Sequence, residues 1–83
     1  MSPLHTIHNS GGLSAALASS GSGPLLLLED GVYLADMIEG REVFVLREDL
    51  AARGLPEPSG KKLITMREFV ALTVQHAPIV AWY

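Results

Sequence analysis

Two short runs, Leu25-Leu26-Leu27-Leu28 and Val43-Phe44-Val45-Leu46, constrain the fold of this chain more than any other feature. Neither alternates apolar with polar residues, so neither suits a strand with one wet face; each reads as a strand buried on both faces. Such strands sit inside a parallel sheet that carries helices on both sides. The remaining segments supply the parts. Leu4–His8 is a first strand, and Asn9-Ser10-Gly11-Gly12 a turn in which Asn or Ser caps a helix from Leu13 to about Ser20. Gly21-Ser22-Gly23-Pro24 ends that helix, and Glu29-Asp30-Gly31 closes the second strand ahead of a short helix over Val32–Met37. Arg47–Arg53 is a further helix, with Glu48 and Asp49 in its first turn and Gly54 where a left-handed cap is common. Lys61–Ile64 is a fourth strand. Thr65-Met66-Arg67-Glu68 fits a capping box for a helix running to about His76, and Ile79–Tyr83 is a tail ending in Trp82 and Tyr83. The expected architecture is a three-layer α/β domain over residues 1–83, with a small, mostly parallel sheet flanked by helices.

Charge narrows the function. The 83 residues carry a formal net charge of −3, which argues against a stand-alone nucleic-acid binder with a basic stripe. No stretch reads as a membrane-spanning helix or a signal peptide, and the chain has no cysteine. That removes disulfides, thiolate metal sites and a cysteine nucleophile, and a cytoplasmic location is expected. Charged residues make up only 18% of the chain, against about 25% in an average domain. Residues 1–28 contain no Asp, Glu, Lys or Arg, although they include a helix and a loop that solvent would normally reach. Ser14, Ala15, Ala16, Ala18 and Ser19 are small enough for another surface to approach closely. The alternatives are a serine- and alanine-rich helix left in water and a helix covered by another subunit; the low overall charge favours the second.

Each possible site has a plain structural counterpart. Asn9-Ser10-Gly11-Gly12 stands where a phosphate could rest on bare amides, but it lacks the spacing of a dinucleotide fingerprint or a P-loop and reads as a turn. Glu29 and Asp30 lie at the carboxyl end of a central strand, where open α/β sheets keep their sites. Neighbours on a strand point to opposite faces, so the two carboxylates do not converge, and Asp30 reads as a helix cap or a partner contact. His5 and His8 face opposite sides for the same reason, and His76 stands in a last helical turn; no metal set is expected. Gly-x-Ser-x-Gly is absent. No catalytic, cofactor-binding or metal-binding residue is assigned. The candidate subunit interface comprises Leu13, Ala16 and Leu17 of the first helix, Asp30, Gly31 and Tyr33 after the second strand, and the aromatic pair Trp82 and Tyr83. For Trp82 the alternative is a tail that caps the chain's own core.

Four blocks taken in order resemble the TusB/DsrH family: Leu4-His5-Thr6-Ile7-His8-Asn9-Ser10; Leu25 through Glu29-Asp30-Gly31-Val32-Tyr33; Glu48-Asp49-Leu50-Ala51-Ala52-Arg53-Gly54-Leu55; and Phe69-Val70-x-Leu72-Thr73-Val74-x-His76 with Ala81-Trp82. The resemblance covers most of the chain. It implies a small flavodoxin-like subunit of a cytoplasmic sulfur-relay complex, assembled with TusC/DsrF-like and TusD/DsrE-like chains as a dimer of heterotrimers. In the Tus branch that relay serves 2-thiolation of the wobble uridine in certain tRNAs; in the Dsr branch it serves intracellular sulfur oxidation. Two departures stand out. DsrH-type members often carry a cysteine in the first helix, where this chain has Ala15 and Ala16, so the thiol chemistry that the family implies falls to the TusD/DsrE-like partner. The segment between Val32 and Val43 is also short, barely the dozen residues that a parallel crossover needs, and its helix is expected to shrink towards a turn. A small-ligand domain using Gly11-Gly12 and Asp30-Gly31, and a self-associating chain that dispenses with partners, are the competing expectations. No cofactor, nucleic acid or membrane is expected to bind directly.

Overall fold

A computed structural model of the chain describes residues 3–19, 23–76 and 78–83. The two apolar runs are strands, as their lack of alternation requires: β2 (Leu25–Leu27) and β3 (Val43–Leu46) are buried along their whole length. With β1 (Leu4–Ile7), β4 (Lys62–Ile64) and β5 (Ile79–Trp82) they form a five-stranded, wholly parallel sheet in the order β4-β3-β2-β1-β5. The helical elements are α1 (Ser10–Ser19), a 3₁₀ helix (Glu29–Met37), α2 (Arg47–Ala52) and α3 (Met66–Gln75).

Side chains alternate across the pleat, so each buried strand feeds two cores. On one face Ile7, Leu25, Leu27, Val43 and Val45 meet Leu13 and Ala16 of α1, Val32, Leu34 and Ala35 of the 3₁₀ helix, and Leu50 of α2. On the other, among the described residues, Leu4, Leu26, Phe44 and Ile64 meet only Phe69 and Leu72, both from α3. The expected three layers are present, but three helical elements cover the first face and α3 alone serves the second.

Several local readings need correction. The helix α1 starts at Ser10 rather than Leu13, because Asn9 Oδ1 takes the Gly12 amide at 2.8 Å and so caps it. Its expected end at Ser20 and the breaker Gly21-Ser22 fall outside the described residues. The tail is a strand: β5 pairs with β1 in the register Leu4↔Ile79 through Ile7↔Trp82. The crossover after β2 starts at Glu29, is 3₁₀ rather than α, and is capped by no side chain, so Asp30 is not its cap. A 3₁₀ helix rises about 2.0 Å per residue against about 1.5 Å for an α-helix, so a shortened crossover still returns the chain along the sheet. The capping box appears as expected, with Thr65 Oγ1 accepting from the Glu68 amide at 3.2 Å and Glu68 Oε1 from the Thr65 amide at 2.8 Å. Gly54 adopts the left-handed conformation, at φ 64°.

Gly31, the third residue of the 3₁₀ helix, stands where the crossover passes over the first strand. A Cβ there would be driven into the carbonyl oxygen of Ile7. Gly31→Ala therefore forces the backbone of β1 and the 3₁₀ helix apart, and should destabilise the fold by about 1–3 kcal/mol. Gly11→Ala, whose Cβ meets only Asn9 Oδ1 at ordinary contact distance, should be neutral or gain up to about 1 kcal/mol. Thermal unfolding of both variants checks the contrast, and equal melting temperatures would contradict it. Thr65→Ala removes the only oxygen that caps the Glu68 amide, and a loss of about 1 kcal/mol is expected in denaturant titration.

Candidate functional site

Parallel strands deliver all their outgoing loops to one end of the sheet, and in this chain that end holds a chain of polar contacts. His8 directly follows β1 and Glu29 opens the 3₁₀ helix after β2. The two side chains meet through His8 Nδ1 and a carboxylate oxygen of Glu29. On the other side of the ring, His8 Nε2 stands 3.2 Å from Thr6 Oγ1. The Tyr83 ring stacks on His8, with centroids 4.2 Å apart and planes 19° from parallel.

The chain continues across the sheet. Glu29 is the one non-glycine residue with positive φ, at 53°, among those described, a conformation that costs about 1 kcal/mol or more. Two contacts hold it there: the carboxylate on His8, and the Glu29 amide, which donates to Asp49 Oδ2 at 2.6 Å. Asp49 belongs to the first turn of α2. One turn later Arg53 donates from Nη1 to the Asp49 carbonyl at 3.2 Å and from Nη2 to Asp30 Oδ1 at 3.0 Å. Loops after β1, β2 and β3 are thereby tied into one polar rim. Between β3 and β4, Glu48 Oε2 accepts the Met66 amide at 3.0 Å, so a carboxylate of the chain itself occupies the N-terminus of α3, where an anion would otherwise be favoured.

This rim is built to hold shape. Thr6–His8–Glu29 has the connectivity of a nucleophile–base–orienter series, yet Thr6 is 3% exposed and its hydroxyl cannot meet a substrate. Among the described residues no group of three or more His, Asp or Glu side chains could hold a metal ion. Two of the three glycines considered for a ligand are used internally, while Gly11 stays exposed: the Gly12 amide is taken by Asn9 and its Cα packs on the Trp82 carbonyl, and Gly31 packs on that of Ile7. A more open groove of about 390 Å³ lies elsewhere, between α3 and the edge strand β4, lined by Phe44, Lys62, Ile64, Glu68, Leu72 and Gln75 among others.

The structure divides the eight candidate interface residues. Leu13 and Ala16 are 6% and 0% exposed, and Gly31 is buried. They face the chain's own core and present no surface, which corrects their assignment: a helix lying on a sheet must turn its apolar stripe inward. Trp82 is half-buried against the first core and donates from Nε1 to Nδ1 of the buried His5 at 3.1 Å, so its packing is internal as well. Leu17, Asp30, Tyr33 and Tyr83 remain on the surface, with Asp30 on Arg53 and Tyr83 on His8. The His8–Glu29 contact was not legible beforehand. It joins residues 21 apart, and only the β1–β2 pairing brings them together.

Comparison with known proteins now bears on the site. A family model described as DsrH like protein matches residues 8–79. Proteins named Protein TusB from Escherichia coli O81 (strain ED1a), Escherichia coli O139:H28 (strain E24377A / ETEC) and Shigella boydii serotype 18 (strain CDC 3083-94 / BS512) are each 38% identical to it over 96 aligned positions. The match covers 95% of this chain and 99% of each relative. The aligned positions outnumber the 83 residues present, so the relatives hold positions that this chain lacks. By sequence, order of motifs and extent of the match, the chain belongs to the TusB/DsrH family.

Proposed function

We propose that the chain is a non-catalytic, structural subunit of a cytoplasmic sulfur-relay complex, acting as one domain over residues 1–83. Its partners are TusC/DsrF-like and TusD/DsrE-like chains, and the complex serves 2-thiolation of the tRNA wobble uridine. The observation that carries this reading is a near-full-length likeness to proteins named TusB in a chain without a single cysteine. Persulfide sulfur is held and passed on by a thiolate, so a family member without one supports its partners rather than carrying the cargo. The polar rim agrees with that part: its groups are spent on one another and hold the loops in place. The name shared by these relatives favours the tRNA branch over sulfur oxidation. No helix among the described residues is long and apolar enough to cross a membrane, as a cytoplasmic subunit requires.

Co-expression with TusC-like and TusD-like chains from the same source should give one assembly containing all three, read by native mass spectrometry. Recovery of this chain free of both, under conditions where the other two associate, would refute the reading. In a reconstituted relay this chain should gain no sulfur on incubation with a persulfide donor, while its omission should lower sulfur transfer by the other two. An intact-mass gain of one sulfur on this chain, or full transfer without it, would count decisively against the structural role.

A further inference from the structure

The two edges of the sheet are unlike. At β4 the edge carries charge: Lys62 pairs with Glu42 at 2.8 Å and lies 5.5 Å from the Phe44 ring centroid, and edge lysines are a common guard against further strand pairing. At the other edge β5 reads Ile79-Val80-Ala81-Trp82, without a charge or a proline. The Leu4 amide bonds the Pro78 carbonyl and the His8 amide that of Trp82. By the alternation of a parallel ladder, the N–H and C=O of Ile79 and Ala81 point out of the sheet. Both side chains are exposed, and no strand among those described lies beyond β5.

Above this edge lies α1, which packs across β1 and β5. Gly12 rests on the Trp82 carbonyl while Leu13 joins the core shared with the 3₁₀ helix. The helix flank next to Gly12, on the side of the open edge, therefore carries Gly11, Ala15 and Ala18, all exposed. We propose that β5 pairs antiparallel with β5 of a second copy of this chain, about a two-fold axis at Val80. Ile79 then faces Ala81 of the second copy, and the two hydrogen-bonded pairs exchange four N–H···O bonds.

Three features favour a second copy. A two-fold contact sets each group near its own duplicate, so it excludes charge close to the axis; residues 79–83 and 1–28 contain no Asp, Glu, Lys or Arg. With strands roughly 4.8 Å apart, α1 sits roughly 5 Å from the axis, and the two copies of α1 come roughly 10 Å apart, the upper end of helix-packing distance. Gly and Ala on the facing flank allow that approach. The charge-free first third of the chain thereby gains a physical reason that stands independently of the sulfur-relay reading.

The test is the native mass of the purified chain over a range of concentrations, against 8.9 kDa for one copy. A doubled mass is expected, falling to the single value in Ala81→Pro, which removes only an outward N–H and is tolerated on an edge strand, and in Ala15→Glu, which sets like charges across the helix contact. Val80→Cys places the only thiols of the assembly at a non-hydrogen-bonded pair, about 4.5 Å apart at Cα, within disulfide reach. It should oxidise to a covalent dimer, whereas Met37→Cys, exposed and remote on the 3₁₀ helix, should not. A single-copy mass at all concentrations, or a doubled mass that both surface variants leave intact together with no Val80→Cys cross-link, overturns the proposal.

Discussion

Everything in this structure depends on β1 being paired in parallel on both sides, with β2 on one flank and β5 on the other. A parallel partner cannot be reached by a tight turn, so each connection must cross a face of the sheet. Three successive crossovers step from β1 to β4 on one face, and a single one returns over the other to place β5 beside β1. That order sets the unequal cover of the two faces. It also leaves β1, with His5 in it and His8 directly after it, in the interior of the sheet, where Trp82 closes over His5 and Tyr83 over His8.

Close backbone approaches keep this arrangement tight. The 3₁₀ helix crosses β1 at Gly31 and α1 meets the end of β5 at Gly12, and at each place a side chain would occupy space that a carbonyl already fills. The same two glycines were candidates for an anion or ligand site. Their amide environment in the folded chain shows how an unspecific Gly-Gly or Asp-Gly can arise from packing alone. The polar rim has a similar character. Glu29 is held in a left-handed conformation by partners from two other loops, and its carboxylate is committed to His8. A rim so committed suits a subunit that offers a rigid surface better than one that moves protons.

Much of the fold was legible because its signals were local. The two-sided apolar runs, the Thr65–Glu68 capping box and the cap at Gly54 each depend on residues within a few positions of one another, and the structure has them where they were read. The site was less legible because its signals were not local. Glu29 and Asp30 were read as strand neighbours but belong to the 3₁₀ helix, and alternation along one strand cannot express a contact between the ends of neighbouring strands. Leu13 and Ala16 were assigned to a subunit surface on the charge-free character of their helix. That character belongs to the outer flank, Gly11, Ala15 and Ala18, and burial of the inner stripe is a property of the packed sheet.

The amino-acid sequence by itself determined the class of fold, the absence of thiol chemistry and the family, since each follows from residue types and their short spacing. Only the tertiary structure decided that Ile79–Trp82 is a strand rather than a tail. It alone showed that the shortened crossover is a 3₁₀ helix and that His8 meets Glu29. The reason is physical: a four-residue apolar segment has no preference of its own strong enough to distinguish edge strand from loose tail. What settles it is a row of unpaired backbone groups on β1, reached only after the chain has crossed the sheet and come back.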